Sequence, residues 1–279
     1  MPELPEVQAH AERLDAAYAG TRLARFQPIT FTALKTATPA PDLAYGLPLE
    51  RVGRRAKYLL LVFEPVTFVV HLMQGGRLRE DEKQSAKPRG GQARFRFEDG
   101  RALLLTEQGT ERRAGVWCVP SASALDDPPL DKLGPEADQV TPEEMAALFS
   151  IKATRLHSFL RDQRCIAGLG RRLANEVCHR AKLSPFASTK KLGLPAATDV
   201  VAAIHDAVEE GLAYDRRQPD MSASDDRPSR VHHRVGEPCP ECGDTIRAVE
   251  YSSYTVNYCP TCQTGGKLLA DNTTSRFLK

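Results

Sequence analysis

The sequence has no apolar run approaching the ~20 residues that a membrane-spanning helix needs, which argues against a helical membrane protein. It has no charged start followed by an apolar stretch of the kind that marks a secretory signal, so a cytoplasmic protein is expected. It has no strong bias of charge: 38 Lys and Arg against 36 Asp and Glu leave a formal net charge of +2. Any polyanionic partner must therefore be held by local clusters rather than by a global field. No internal repeat is visible. The 279 residues, 41% hydrophobic and 27% charged, are ordinary for a globular protein with one large or two medium domains.

Seven cysteines are present, and a disulfide framework is not expected in the cytoplasm. Cys118, Cys165 and Cys178 are scattered singly and read as buried small side chains. Cys239 and Cys242, then Cys259 and Cys262, form two C-x2-C pairs separated by 16 residues. Each pair turns two sulfurs toward one centre, and two pairs make a tetrahedral thiolate set suited to one structural zinc ion. An iron–sulfur centre or a redox pair would use the same ligand types. Ile246, Val249, Tyr251, Tyr254, Val256 and Tyr258 between the pairs suggest a β-hairpin.

Along the chain, Leu4, Val7, Ala11, Leu14 and Tyr18 recur at helical spacing, with Pro5 suited to a first turn. Strand-like runs follow at 58–63, 67–72, 94–97, 101–106 and 116–119, with a hairpin turn at Glu98–Arg101. The stretch 121–138 lacks periodicity and reads as a linker. Helical periodicity then takes over. Thr141 and Glu144 make a capping box, Met145, Leu148 and Phe149 face a core, and Leu156, Phe159 and Leu160 mark a short helix. Gly168-Leu169-Gly170 breaks the pattern, Leu173, Ala174, Val177 and Ala181 resume it, and Thr198 is expected to cap a further helix. Residues 215–230 are polar and expected to be mobile.

The start of the chain carries the most specific chemistry. Removal of Met1 turns Pro2 into a secondary amine, and an α-amino group titrates near ~8 against ~10.4 for lysine. Such an amine attacks a sugar carbon and forms an iminium. Glu3 stands beside it to move a proton. Proline at position 2 alone usually reflects processing only; features far downstream give it weight. Arg51, Arg54, Arg55 and Lys57 are clustered, and Arg112-Arg113 and Arg171-Arg172 are pairs. Such clusters mark phosphate footprints, although a single pair is more often a solvated face.

Pro2-Glu3-Leu4-Pro5-Glu6-Val7, Arg54-Arg55-Ala56-Lys57-Tyr58, His71-Leu72 with Gly75-Gly76-Arg77-Leu78, Arg112-Arg113, Asp162-Gln163, Gly168-Leu169-Gly170, Glu176, Gly236-Glu237-Pro238-Cys239 and the four cysteines occur in that order. In that order the chain resembles the formamidopyrimidine-DNA glycosylase / endonuclease VIII family, as a divergent member, from residue 2 to about residue 263. The resemblance implies an α+β multi-domain fold: an N-terminal helix plus β-sandwich (1–120), a linker (121–138), a helix–two-turn–helix domain (139–230), a four-cysteine zinc finger (231–265) and a tail (266–279). It implies a monomeric, nucleoid-associated repair enzyme that flips a damaged nucleotide out of duplex DNA and then cuts the strand by lyase chemistry. Pro2 would be the nucleophile and Glu3 the acid that helps open the sugar ring. Glu6 would hold the N-terminal region, Lys57 would grip a phosphate and His71 would face the backbone. Arg112 would enter the gap opposite the orphaned base, with Gln74, Arg113, Arg171, Arg172 and Tyr254 as further DNA contacts.

The chain departs from the family pattern at contact positions. Arg171 stands for an asparagine, Tyr254 for an arginine and His157 for a lysine. Gln74, with Met73 beside it, stands for a methionine or leucine, and Ala114 for an aromatic. The loop that covers oxidised guanine in that family reads as shortened or absent between Asp215 and Val231. These changes weaken any expectation of 8-oxoguanine specificity and leave Pro2, Glu3 and Lys57 in place. The alternative is a catalytically weak, lesion- or structure-specific DNA-binding protein on the same scaffold. A zinc-ribbon RNA-binding protein is a third reading, opposed by the N-terminal string.

Overall fold

A computed structural model describes residues 2–109, 112–222, 226–251 and 254–270. The chain forms two compact units, Met1–Lys132 with Asp215–Ala223, and Leu133–Tyr214 with Ser224–Lys279.

The first unit opens with α1 (Leu4–Tyr18), whose apolar stripe Leu4, Val7, Ala11, Leu14 and Tyr18 is buried. Glu3 is its N-cap. The Glu6 carboxylate accepts the Glu3 N–H at 2.9 Å, and the Glu3 carboxylate accepts the Glu6 N–H in return. This reciprocal pair satisfies two otherwise orphaned donors at the helix start. Eight strands follow: β1 (Leu23–Pro28), β2 (Arg51–Arg55), β3 (Tyr58–Phe63), β4 (Val66–His71), β5 (Gly76–Glu80), β6 (Gly91–Phe97), β7 (Ala102–Glu107) and β8 (Gly115–Pro120). They form two four-stranded antiparallel sheets, β1-β6-β7-β5 and β2-β3-β4-β8. Phe26, Phe68 and Phe95 meet in the core with ring centroids 5.0–5.3 Å apart. Each buried phenyl contributes roughly 1.5–3 kcal/mol by leaving water.

The described part of the polar stretch after residue 214 is held, not loose. Asp215 is buried, its carbonyl accepts Arg13 Nη1 at 2.8 Å and its carboxylate accepts the Ser222 hydroxyl. Arg216 makes two 2.8 Å bonds to Glu12, Asp220 pairs with Arg79, and Met221 joins the sandwich core. Side chains at scattered positions supply these anchors, so no local periodicity announces them.

His10 carries a pH prediction. It is buried in α1 and its Nε2–H donates to the Leu78 carbonyl at 2.8 Å. Burial pushes its pKa from 6.5 down to about 4. The folded state therefore binds fewer protons than the unfolded chain below pH ~6.5, so stability falls as pH drops through the window from ~6.5 to ~4. By pH 4.5 the cost from this one group is about 2.5 kcal/mol. His10→Gln, which keeps a donor and removes the titration, should show a correspondingly shallower loss in urea melts between pH 7 and 4.5. Equal slopes would remove His10 from the account.

In the second unit, α2 (Pro142–Ile151) starts on the Thr141–Glu144 capping box, followed by α3 (Leu156–Arg161), α4 (Arg171–Arg180) and α5 (Leu194–Arg216). Thr198 does not cap α5. It lies inside the helix, its hydroxyl donating to the Leu194 carbonyl at 3.0 Å, because Pro195 is tolerated in the first turn and Ala196 and Ala197 extend it. Phe149 and Phe159 pack edge to face at 5.1 Å. Between α3 and α4 the Gln163 side chain fastens both turns, donating to the Leu169 carbonyl at 2.7 Å and accepting from Gly168 N–H at 3.0 Å.

Residues 134–137, read from sequence as part of the linker, are bound to this motif: Gly134 N–H donates to the Gln163 carbonyl at 2.8 Å and Ala137 N–H to the Ala167 carbonyl at 3.0 Å. A Cβ on Gly134 would stand 2.8 Å from the Arg164 carbonyl oxygen, so this approach requires glycine.

The hairpin β9 (Arg247–Glu250) and β10 (Thr255–Tyr258) and the short α6 (Pro260–Thr264) complete the unit. Leu269 packs against the hairpin and donates its N–H to the Tyr258 hydroxyl at 2.7 Å. The rest of the expected tail, 271–279, lies outside the described residues. Among the described residues no helix is long and apolar enough to cross a membrane.

Candidate active site and metal centre

Strand register gathers three turns at one end of the sandwich. His71, closing β4, pairs with Tyr58 at the start of β3 and with Gly115 at the start of β8. In the other sheet Gly76 pairs with Glu107. The β2–β3, β4–β5 and β7–β8 connections therefore share one edge. Asp15 accepts the Val52 N–H at 2.7 Å and Gln8 accepts Arg54 Nε at 3.0 Å. Helix α1 thus runs antiparallel to β2, and its N-terminus, with Pro2 and Glu3, points to the same end as the Ala56–Lys57 turn.

Glu3, Glu6 and Lys57 are all buried, as is Pro2 in the chain that still carries Met1. Lys57 follows Ala56, which holds a φ of 52° in the tight β2–β3 turn, a conformation that L-residues adopt at a cost. The Tyr58 ring lies tilted against His71 with centroids 4.5 Å apart, and Met73 N–H donates to His71 Nδ1 at 3.3 Å. Burial, and then the charge of Lys57, push the His71 pKa down to about 4, so its ring is neutral at pH 7.

Gln74 is exposed at the tip of the β4–β5 turn. The turn is closed by Gly76 N–H on the Leu72 carbonyl at 2.8 Å, and a Cβ on Gly76 would fall 2.0 Å from that oxygen, so no other residue fits. Arg112 and Arg113 are exposed on the β7–β8 loop. The buried Glu107 carboxylate accepts the Ala114 N–H at 2.6 Å and clamps the base of this loop.

In the second unit, Arg171 is half-buried at the first position of α4. Arg172, expected among the DNA contacts, is buried: its guanidinium donates to the Arg227 and Pro228 carbonyls, which makes it a structural tie. Tyr254 is not a lone surface hydroxyl. Its ring stacks on Tyr251 at 4.6 Å and lies parallel to His157 at 6.1 Å, and the Arg161 guanidinium sits 4.0 Å above it. Arg161 thus brings a positive charge to the position where the chain has tyrosine. Burial lowers the His157 pKa to about 3, so His157 contributes no charge of its own at pH 7.

The sulfurs of Cys239, Cys242, Cys259 and Cys262 lie within 4.8 Å of one another. Cys239–Cys262 and Cys242–Cys259 are 3.9 and 3.4 Å apart. A tetrahedron with Zn–S of about 2.3 Å places its sulfurs about 3.8 Å apart, so the set fits the ion. His179 on α4 places Nε2 3.3 Å from the Cys239 sulfur, a contact that orients the ligand from behind.

Comparison with known proteins agrees with this architecture region by region. Residues 1–117 match the formamidopyrimidine-DNA glycosylase N-terminal domain, 133–222 the formamidopyrimidine-DNA glycosylase H2TH domain, and 236–265 the zinc finger found in FPG and IleRS. The formamidopyrimidine-DNA glycosylase of Roseiflexus sp. (strain RS-1) is 30% identical, over 94% of this chain and 100% of that protein. The chain belongs to the formamidopyrimidine-DNA glycosylase family. An uncharacterized formamidopyrimidine-DNA glycosylase-like protein of Mycobacterium tuberculosis H37Rv is 40% identical over 53% of this chain and 94% of its own length. The fold is shared with Lactococcus lactis Fpg, solved with abasic-site DNA: TM-score 0.84 at 19% identity, over 94% of this chain and 99% of that one. The glycosylase family fold, with its helix-plus-sandwich, helix–two-turn–helix and four-cysteine regions and one structural zinc, is thereby established for this chain.

Several contacts in this chain escape a sequence reading, including those of Glu176, which the sequence offers only as part of the motif string. Glu107 acts across a loop. Glu176 accepts the N–H groups of Arg230, Val231 and His232 at 3.0 Å each, tying α4 to the start of the finger. Asn175 bonds the His232 ring at 2.9 Å and accepts the Asn257 N–H at 3.2 Å. The partners of Glu176 and Asn175 lie more than fifty residues away, beyond any local signal.

Proposed function

We propose that the chain excises a damaged base and cleaves the resulting abasic site through a Schiff base on Pro2. After Met1 is removed, the Pro2 nitrogen attacks the anomeric carbon, the glycosidic C–N bond breaks, and the proton lost from the nitrogen neutralises the departing base. Glu3 delivers a proton to the ring oxygen, the ring opens, and the nitrogen lone pair completes an iminium. The cation acidifies the neighbouring C–H, and elimination expels the phosphate on one side and then the other. Lys57 neutralises a phosphate beside the lesion, and His71 offers a neutral ring to the backbone. Arg112 and Gln74 occupy the space left in the duplex. The gathering of the α1 start, the Lys57 turn and the Arg112 loop at one sandwich edge carries this reading. The complex of Lactococcus lactis Fpg with abasic-site DNA supports abasic-site DNA as the ligand, and the chain is read as acting on duplex DNA as a monomer.

Borohydride trapping on duplex DNA with an abasic site is the test: a covalent adduct is expected. The alternative is a lesion-binding protein with little catalysis on the same scaffold. Tight binding with no adduct from Met1-free protein would establish that reading instead.

Arg171 and the Arg161–Tyr254 pair are assigned to phosphates. Arg171→Ala should weaken binding across all sequences and reduce the slope of log K against log salt by about 0.9. An unchanged slope in a salt titration would remove Arg171 from the phosphate contacts.

A further inference from the structure

Phe31 stands entirely in solvent, at 102% relative exposure, the highest of the exposed large apolar residues described. A phenyl left in water forgoes the favourable transfer that burial would give. The loop that carries it is fixed from both sides. Ile29 and Thr30 N–H groups donate to the Gln92 carbonyl at 2.8 and 3.1 Å, and Ala33 N–H closes on the Thr30 carbonyl at 3.1 Å. Beyond the tip, the Ala33 carbonyl accepts Val116 N–H and Lys35 N–H donates to the Val116 carbonyl, both at 2.8 Å. The backbone at Phe31 is thus held at both flanks while its ring packs on none of the described residues.

The same bonds locate the ring. Gln92 donates to the Gly90 carbonyl at 3.2 Å, and that carbonyl also accepts the Glu107 N–H at 2.9 Å. Glu107 is the residue that clamps Ala114, next to Arg113. Val116, the other anchor, lies two positions beyond Ala114, inside β8. Phe31 therefore shares its anchors with the Arg112–Arg113 loop, on the edge that also bears Gln74. That loop supplies cations but no aromatic face, since the residue after the arginines is the buried methyl of Ala114.

We propose that Phe31 is a stacking platform for the base left unpaired in DNA bound at this edge. The proposal rests on the reading of this edge as the DNA-cleaving site. Aromatic rings stack on any base, and phosphate-seeking arginines alongside hold the strand in place. The ligand is thus a nucleobase without a partner, presented by an anionic backbone.

The test uses full-length, Met1-free, zinc-loaded protein and a duplex carrying a tetrahydrofuran abasic analogue opposite 2-aminopurine, which reports stacking by fluorescence quenching. Wild type should quench the probe. Phe31→Ala should lose most of that quenching and bind this duplex about tenfold more weakly, with its affinity for fully paired DNA unchanged. Phe31→Trp should restore both. Unchanged quenching and affinity in Phe31→Ala would overturn the proposal, as would an equal loss on paired DNA. Borohydride trapping on a natural abasic site is measured in parallel. Absence of an adduct in wild type defeats the lyase reading alone, because the analogue has no aldehyde and its binding does not depend on chemistry.

Discussion

A chain that keeps Met1, or carries any N-terminal extension, should give no borohydride-trapped adduct while still binding abasic-site DNA. An acyl group on the Pro2 nitrogen makes a tertiary amide, with its lone pair delocalised and no proton to lose, so iminium formation is impossible whatever the rest of the site does. The structure sharpens this expectation. The Glu3–Glu6 capping box fixes the first turn of α1, and the pyrrolidine ring ties the Pro2 nitrogen back to its own Cα, so the amine is delivered in a set direction rather than on a loose end. Glu3 caps the helix and is also the proposed acid, and one substitution separates these duties. Glu3→Gln keeps an oxygen to accept the Glu6 N–H but cannot supply the proton. It should fold normally and lower single-turnover cleavage by about 10²–10⁴-fold. Trapping that survives with Met1 in place would eliminate Pro2 as the nucleophile.

How far the sequence discloses this molecule depends on where each residue finds its partner. Strands β3 and β4 lie inside their sheet and read plainly as apolar runs. Strands β1, β2 and β5 are sheet edges, and edges carry polar and charged residues. Thus Arg51–Arg55 reads as a charge cluster rather than a strand, although Arg54 is spent on Gln8 and the Ala56 carbonyl. The four cysteines are legible because a C-x2-C turn is local. Arg171 and Arg172 are adjacent and chemically alike, yet only the fold decides that the second turns inward to main-chain carbonyls some 55 residues away. The same holds for Tyr254: its ring is spoken for by Arg161 and His157, and only the fold brings the separate departures at His157 and Tyr254 together with that arginine.

Removing zinc should abolish DNA binding while leaving the sandwich folded. Around the four sulfurs the apolar support amounts to little more than Val231 and Ile246, too few side chains to order this segment without a metal. Zinc-finger peptides gain about 10–16 kcal/mol from the ion, so the segment's order is metal-dependent. Loss of order spreads along named bonds. The three N–H groups held by Glu176 and the Asn175–Asn257 pair connect the finger to α4, which begins at Arg171. Tyr254, and with it the Arg161 stack, sits just before β10. Chelation should therefore weaken binding to abasic-site DNA by at least about two orders of magnitude, beyond what a single lost phosphate contact explains. Amide exchange should accelerate across 247–258 and remain slow in β3 and β4, whose core in the first unit contains none of these residues. Metal-free protein that binds DNA as tightly as the holo form would show that the finger has no part in recognition.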